Sequence, residues 1–390
     1  MKIGLFNDSF PPKIDGVANV VYNYAKYINQ NHGEAIVVTP RYPKVRDDYA
    51  FKVYRYSSFS SFDYLPYRIG NPISPITLAE LANEKMDLMH IHSPFASSLL
   101  VQEQKLLQRD KKPVVLTYHT KFDIDIDKYI KEKVLNRFAK KFVLRNISLA
   151  DEVWCVTDGA GKWLRETGYQ GDYIVMSNGT DFPKGRVADS AVAEIRNRYA
   201  ITAGVPVFLF CARMMWYKNL RLLLDALKAV QTAGLEFRCL MVGDGVDKAE
   251  IEAYANEIGL QQRVFFTGAV TDRGEVRKYF SAADLFLFPS TFDTSGLVVK
   301  EAAACACPAL LIRGSCAAEG VIDGVSGFLS EENAQDFAAQ IMRVARAGDL
   351  LRRVGAEAQH SLYCSWEDSV AAAYARYELV AEKFAKAHKK

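Results

Sequence analysis

The sequence predicts an α/β protein of two domains, each a mostly parallel sheet covered by helices. Three observations carry that expectation. The chain has 390 residues, and single hydrophobic cores stop growing near ~250–300 residues. Short apolar runs alternate with stretches of helical period along its whole length, the pattern of crossover-linked parallel strands. A polar stretch with Lys184, Arg186 and Asp189 separates two such series, which sets a boundary near residue 190.

The first series opens with a strand, KIGLF at 2–6, then a loop holding Pro11-Pro12 and Asp15-Gly16. A helix follows, with Val17, Val20, Val21, Tyr24 and Ile28 at helical spacing. AIVVTP at 35–40 is the next strand; the runs at 87–92, 113–120 (PVVLTYHT) and 152–158 (EVWCVTD) follow, and IVMSNGTDF at 174–182 closes the series. Asp8, His92, His119 and Asp158 all fall at carboxyl ends of these strands, where sites gather in such sheets.

The second series starts with PVFLFCARM at 206–214 and a helix over 220–230. FRCLMVGDG at 237–245, RVFFTGAV at 263–270, DLFLFPS at 284–290 and ALLIRG at 309–314 are its further strands, with helical stretches at 251–259, 275–283 and about 296–306. A long amphipathic pattern over 366–386 ends the chain.

Apolar residues make up 49% and charged residues 24%, which argues against a disordered or fibrous chain. A net charge of +3 supplies no argument for a sequence-independent nucleic-acid binder. The seven scattered cysteines fit no disulfide framework, and Cys305-x-Cys307 lacks the further ligands of a metal site. Lys2 is followed by too short an apolar run for a signal-peptide core, and no stretch approaches the ~20 apolar residues of a membrane span. A cytoplasmic protein is expected, soluble or attached to a membrane surface.

Four segments of the second half are candidates for chemistry. Arg213 and Lys218 flank a strand-to-helix turn, where two cations and a helix N-terminus either meet an anion or stand as solvated surface charges. Gly243-Asp244-Gly245 follows a strand and is otherwise an ordinary turn. Asp293 lies in a loop with Ser295, Gly296 and Leu297, and Glu301 follows two helical turns later, facing either the same site or solvent. Arg313-Gly314-Ser315 with Glu319 and Asp323-Gly324 forms the fourth.

Together these segments occur in the order and spacing of family 4 retaining glycosyltransferases, and Pro11-Pro12 with Asp15-Gly16-Val17 is similar to that family's N-terminal glycine loop. Within the family, YHTKFD at 118–123 and DTSGLVVKEA at 293–302 most resemble bacterial enzymes that glycosylate diacylglycerol. The resemblance implies a GT-B fold, two Rossmann-like domains facing across a cleft. Residues 1–190 would bind the acceptor, 191–365 the nucleotide-sugar donor, and a helix over 366–390 would cross back to the first domain.

By the same resemblance, Arg213 and Lys218 hold the donor diphosphate, Glu301 the ribose hydroxyls and Asp293 the transferred sugar, with Gly243, Ser295, Gly296 and Leu297 also lining the donor. Gly16 lets its loop approach the diphosphate, and His119 sits beside the reacting centre. Asp15, His92, His119 and Lys121 face the acceptor. The implied reaction is retaining transfer of a hexose, from UDP-glucose, to diacylglycerol or a related glycolipid, without a metal or other cofactor. Phosphatidylinositol or a soluble acceptor is the alternative, and a catalytically silent nucleotide-sugar-binding scaffold a second. The chain departs from the family pattern at Asp293, where Glu is usual, at Asp15, in place of the first of two glycines, and at Ala306, where Gly is common.

Residues 128–145 carry Lys128, Lys131, Lys133, Arg137, Lys140, Lys141 and Arg145 against one acid, Glu132. Ile130, Val134, Phe138 and Phe142 recur every fourth position, so a basic amphipathic helix is expected. Its apolar stripe packs on the sheet, or its Lys131, Lys133, Lys140 and Lys141 face anionic head groups, or both. The resemblance favours both, and with it a location on the inner face of the cell membrane.

Overall fold

The computed structural model describes residues 1–12, 15–60, 68–107 and 111–388. The chain divides into two compact units, Met1–Asn178 with Trp366–Lys390, and Gly179–Ser365.

In the first unit the strands are β1 (Lys2–Phe6), β2 (Glu34–Pro40), β3 (Lys52–Tyr56), β4 (Ser58–Ser60), β5 (Arg68–Gly70), β6 (Leu88–Ile91), β7 (Val114–Tyr118), β8 (Glu152–Cys155) and β9 (Ile174–Val175). Seven of them form a parallel sheet in the order β3-β2-β1-β6-β7-β8-β9, and β4 pairs with β5 in a small hairpin. Ile3, Leu5 and Phe6 of β1 and Ile36, Val37 and Val38 of β2 are all fully buried, because helices cover both faces. Tyr24, Ala25 and Ile28 put the inner face of the helix Gly16–Asn31 against that sheet.

The second unit contains β10 (Val207–Cys211), β11 (Arg238–Val242), β12 (Val264–Gly268), β13 (Leu285–Phe288), β14 (Ala309–Ile312) and β15 (Phe328–Ser330). They form one parallel sheet in the order β12-β11-β10-β13-β14-β15. The order reverses between β10 and its two neighbours, which is where such sheets open a crevice at their carboxyl ends.

Three expectations change. The boundary lies at Asn178/Gly179 and not near 190, because Phe182 is buried in the second core, Gly185 donates its amide to Ala304 O at 2.8 Å, and Arg186 bonds Ser281 O. The strand expected at 174–182 is only Ile174–Val175; from Thr180 the chain pairs instead with the segment leaving the second unit, Thr180 N to Cys364 O at 2.9 Å. The basic helix expected over 128–145 is two helices, Phe122–Tyr129 and Lys133–Ser148. Glu132 starts the second of these, accepting from the amides of Val134 at 3.0 Å and Leu135 at 2.6 Å, an N-cap that the preceding helix cannot run through.

The helix Trp366–Ala387 belongs to the first unit, and its spacing explains why. Trp366, Val370, Ala373, Tyr377 and Val380 alternate steps of four and three and are all buried. Arg376 adds a forked ion pair to Glu152 at 2.6 and 2.8 Å, and Tyr374 accepts from the Met1 amino group at 2.8 Å.

Candidate active site

In the second unit the loops after β10, β11 and β13 are bonded to one another. Gly243 and Gly245 hold the first two together: a Cβ on Gly243 would lie 1.9 Å from Ala212 O, and one on Gly245 2.3 Å from Met214 O. Gly243 also sits at φ 141°, which glycine alone adopts readily. Met214 N donates to Asp244 O at 2.9 Å, so this turn fixes the loop that carries Arg213. Arg213 itself is exposed, with no hydrogen bond to any described residue.

Lys218 closes a short 3-10 turn, Trp216–Lys218, and is almost completely buried. Its Nζ lies 2.7 Å from both carboxylate oxygens of Asp293, which also accepts from Ser290 Oγ. Burial alone would raise the Asp293 pKa, but the charge of Lys218, these hydrogen bonds and the charge of Arg213 bring it below the ordinary carboxylate range. The shorter Asp, where the family has Glu, is thereby bonded to Lys218.

Gly296 caps the helix Leu297–Ala304 in the left-handed region, φ 56°, and a Cβ there would meet that of Ala317 at 2.8 Å. As a glycine, Gly296 supplies no side-chain cap to this helix, and Val299 N turns back to Gly296 O at 2.8 Å. Glu301, on the same helix, is buried and accepts from Arg273 at 2.6 Å. Burial raises its pKa against the pull of that guanidinium. Ala306, just past the helix, adopts φ 52°, the conformation that makes Gly common at this position.

The first unit places its candidates differently from the expectation. Asp15 is the N-cap of the helix Gly16–Asn31, accepting from Ala18 N at 2.7 Å, so its carboxylate is engaged by the backbone. Gly16 has open space where a Cβ would be. His92, expected to face the acceptor, is buried; its Nδ1 lies 3.0 Å from Nε2 of His119, with the rings stacked at 5.2 Å. Lys121 is also buried, its ammonium 4.3 Å from the ring centroid of Trp163. His119 is half-buried, and desolvation pushes its pKa down to about 3, so the ring is neutral. Asp8 is occupied by Ser93 and Ser97, and Asp158 by Tyr173 and Lys162.

A family model described as glycosyltransferase family 4 matches residues 14–182, and one described as glycosyl transferases group 1 matches 192–361. The chain is a family 4 glycosyltransferase of the GT-B fold. Curated relatives include alpha-monoglucosyldiacylglycerol synthases of Streptococcus pneumoniae, 23% identical over 80% of this chain and 70% of that one, and of Acholeplasma laidlawii, 22% identical over 93% and 92%. The N-acetyl-alpha-D-glucosaminyl L-malate synthase of Bacillus anthracis is 23% identical over 93% and 92%. Among solved structures, Anabaena HepE in complex with UDP-glucose superimposes with a TM-score of 0.74 at 19% identity, covering 99% of this chain and 100% of that one.

This glycosyltransferase has, among its described residues, no group of three or more His, Cys, Asp or Glu side chains that could hold a metal ion. The Asp123, Asp125 and Asp127 alternation lies on the helix Phe122–Tyr129, where Asp123 accepts from Trp163 Nε1 at 3.0 Å and Asp127 pairs with Lys140 at 2.7 Å. Among the described residues no helix is long and apolar enough to cross a membrane.

The helix Lys133–Ser148 buries only Val143, Asn146 and Ile147. Val134, Leu135 and Phe138 are 76%, 55% and 68% exposed, so the front of the apolar stripe does not pack on the sheet. Lys131, Lys133, Arg137, Lys140 and Lys141 line a hollow of about 740 Å³ beside it. Lys131 and Lys140 turn back onto Asp127, whereas Lys133 and Lys141 are exposed without a partner among the described residues.

Sequence reasoning missed Arg273, Asp181, His90 and Tyr377. His90 is fully buried between Tyr377 Oη at 2.6 Å and Thr117 Oγ1 at 2.7 Å. The alternation His90-Ile91-His92 was a usable signal, since two polar residues on one face of an otherwise apolar strand must find partners there. Arg273 carried no signal.

Proposed function

We propose that this glycosyltransferase transfers glucose from UDP-glucose to diacylglycerol or a related membrane glycolipid with retention of configuration. The observation that carries the lipid acceptor is the helix Lys133–Ser148, which exposes Val134, Leu135 and Phe138 beside Lys133 and Lys141, two cations without a partner among the described residues. A soluble acceptor gives no reason to leave three large apolar side chains in water beside that charge; a bilayer with anionic head groups takes up both. The named activity of the S. pneumoniae and A. laidlawii relatives supports the same acceptor, and the HepE complex supports the donor. The protein then works peripherally, on the inner face of the cell membrane.

The second unit binds the donor. Arg213, Lys218 and the helix N-terminus at Gly296–Leu297 receive the diphosphate, Glu301 the ribose, and Asp293 and Ser295 the sugar, with Gly243 fixing the loop. As the glycosidic bond breaks, the diphosphate gains charge, which fixed cations and helix amides stabilise more in the transition state than in the ground state. They do so without a metal ion. The first unit binds the acceptor near Gly16 and His119; His119 enters as a neutral hydrogen-bonding ring, held from behind by His92. With no carboxylate assigned as a nucleophile, attack occurs on the face from which the diphosphate departs.

A donor-by-acceptor assay tests this. UDP- and GDP-hexoses are offered with diacylglycerol vesicles and, in parallel, with malate and soluble sugars, in excess EDTA. The expected product extracts into organic solvent, forms only from UDP-glucose with lipid, and shows the α-anomeric coupling by proton NMR. Product only with a soluble acceptor, a β linkage, or activity restored only by added manganese or magnesium refutes the corresponding part.

A further inference from the structure

Glu301 is held by a second carboxylate through one arginine. Arg273 Nη2 donates to Glu301 Oε1 at 2.6 Å and to Asp181 Oδ1 at 2.6 Å, and Arg273 Nε donates to Asp181 Oδ2 at 2.9 Å. The guanidinium lies 4.5 Å from the ring centroid of Phe182, so two successive residues of the segment that opens the second unit grip it. Its backbone is fixed as well, because Arg273 is the first residue of the helix Arg273–Ala282, capped by Asp272. Glu301 Oε2 has no hydrogen bond among the described residues.

The fork is directional. Two N–H groups of Arg273 satisfy Asp181 side by side, and the remaining Nη2 hydrogen points at one oxygen of Glu301. A carboxylate held by one oxygen can turn only about that contact, and its other oxygen is left without a hydrogen bond among the described residues. We propose that Arg273 is the positioning residue of the donor site, orienting Glu301 so that Oε2 is offered to the ribose hydroxyls, with Asp181 holding Arg273 in place. This rests on Glu301 as the ribose-binding residue. The same contact favours the ionised form of Glu301, since burial pushes its pKa up and Arg273 opposes that rise. A protonated Glu301 would accept the ribose hydroxyls poorly. Lys cannot reproduce the geometry in full, because it supplies the charge without the fork.

Calorimetric titration with UDP and with 2′-deoxy-UDP tests the assignment on the wild type, R273Q, R273K, D181N and E301Q, with melting temperatures alongside. R273Q is expected to weaken UDP about tenfold or more, and R273K to recover part of that loss. For 2′-deoxy-UDP the difference between R273Q and wild type shrinks, because one of the hydroxyl contacts that Arg273 orients is absent. The ratio of R273Q to wild-type Kd, in which the titration of UDP itself cancels, rises as pH falls from about 8.5 to about 6. Wild-type affinity in R273Q, with E301Q weakened, overturns the positioning role and leaves the ribose reading intact. Wild-type affinity in E301Q overturns both. If R273Q melts below the assay temperature, D181N carries the test: it loosens Arg273 without touching Glu301, a severalfold loss is expected, and unchanged affinity overturns the proposal.

Discussion

Asp293→Asn should slow transfer, lower the melting temperature and yet tighten UDP binding. The three effects have one source. Lys218, with 5% of its side chain exposed, keeps its ammonium against both oxygens of Asp293, whose own side chain is 26% exposed. Removing one partner of a fully buried pair costs about 3–5 kcal/mol. Here the acid is a quarter exposed and an amide oxygen still accepts one hydrogen bond, so about 1–3 kcal/mol is the expected loss. For a unit of this size that is a fall of roughly 2–10 °C. The Asp293 pKa is depressed in the folded protein, so the pair contributes fully above the unfolded value near ~3.9 and its contribution is lost as pH falls through the lower folded value. The gap between wild type and variant should therefore close on acidification.

The same charge repels a diphosphate that needs Lys218. One fewer negative charge within a few ångströms is worth on the order of 1–2 kcal/mol at an intermediate dielectric, or about 5–30-fold tighter UDP. Transfer should nevertheless fall about 10²-fold or more, since the sugar loses its carboxylate contact as the transition state forms. Lys218→Met reverses the sign for UDP, weakening it, while also slowing transfer. Scanning calorimetry, UDP titration and turnover measured on the same preparations check all three. Unchanged UDP affinity and turnover in a folded Asp293→Asn variant would refute the placement of Asp293 and Lys218 at the donor.

Two further outcomes follow from the first unit. Reversing Lys133 and Lys141 to Glu, or replacing Val134 and Phe138 by Ser, should reduce sedimentation with anionic vesicles and slow lipid glycosylation without lowering the melting temperature, because these side chains are exposed; salt should oppose only the charge-dependent part, as the Debye length falls from ~10 Å at 0.1 M to ~3 Å at 1 M. Unchanged vesicle binding in both variants would remove this helix as the lipid-facing element. His90 and His92 are buried and desolvated, with pKa values held well below 6.5, so the unfolded chain binds more protons below that pH; stability should fall on acidification by up to about 1.4 kcal/mol per pH unit for each ring, and His90→Gln should flatten the slope.

The parallel sheets were legible because their strands are continuous apolar runs between polar loops, and that pattern survives without knowing any partner. The proposed donor residues could be placed for the same reason: Arg213, Lys218 and Asp293 lie in segments that leave strand ends and Glu301 on the helix after Asp293, so their positions follow from local chain direction. The rest depended on helix capping and on contacts distant in sequence. Asp15 and Glu132 resemble exposed acids in the sequence but cap helices, and Glu132 cuts the expected helix in two. Arg273 meets Glu301 and Asp181 only because two helices and the segment that opens the second unit fold together, and no periodicity announces such a meeting.

The histidines of the first unit show how a buried polar group can specify structure where apolar packing alone would not. His90 needs two partners, because both ring nitrogens are removed from water, and it finds one on β7 and one on the C-terminal helix. Tyr377 can reach it only when that helix lies in a single register; a slip of one residue would present Arg376 or Glu378 and take Tyr377 Oη away from the ring nitrogen, at a cost of about 1–3 kcal/mol. The ring of Tyr377 also stacks on Trp154 at 5.1 Å, so hydrogen bond and packing select the same register. His92 lies against His90, ring centroids 3.9 Å apart, and touches His119 in turn. The helix Trp366–Ala387 therefore bears, through two neutral rings, on the orientation of His119, the histidine proposed to lie beside the reacting centre, which gives the helix a role beyond covering the sheet.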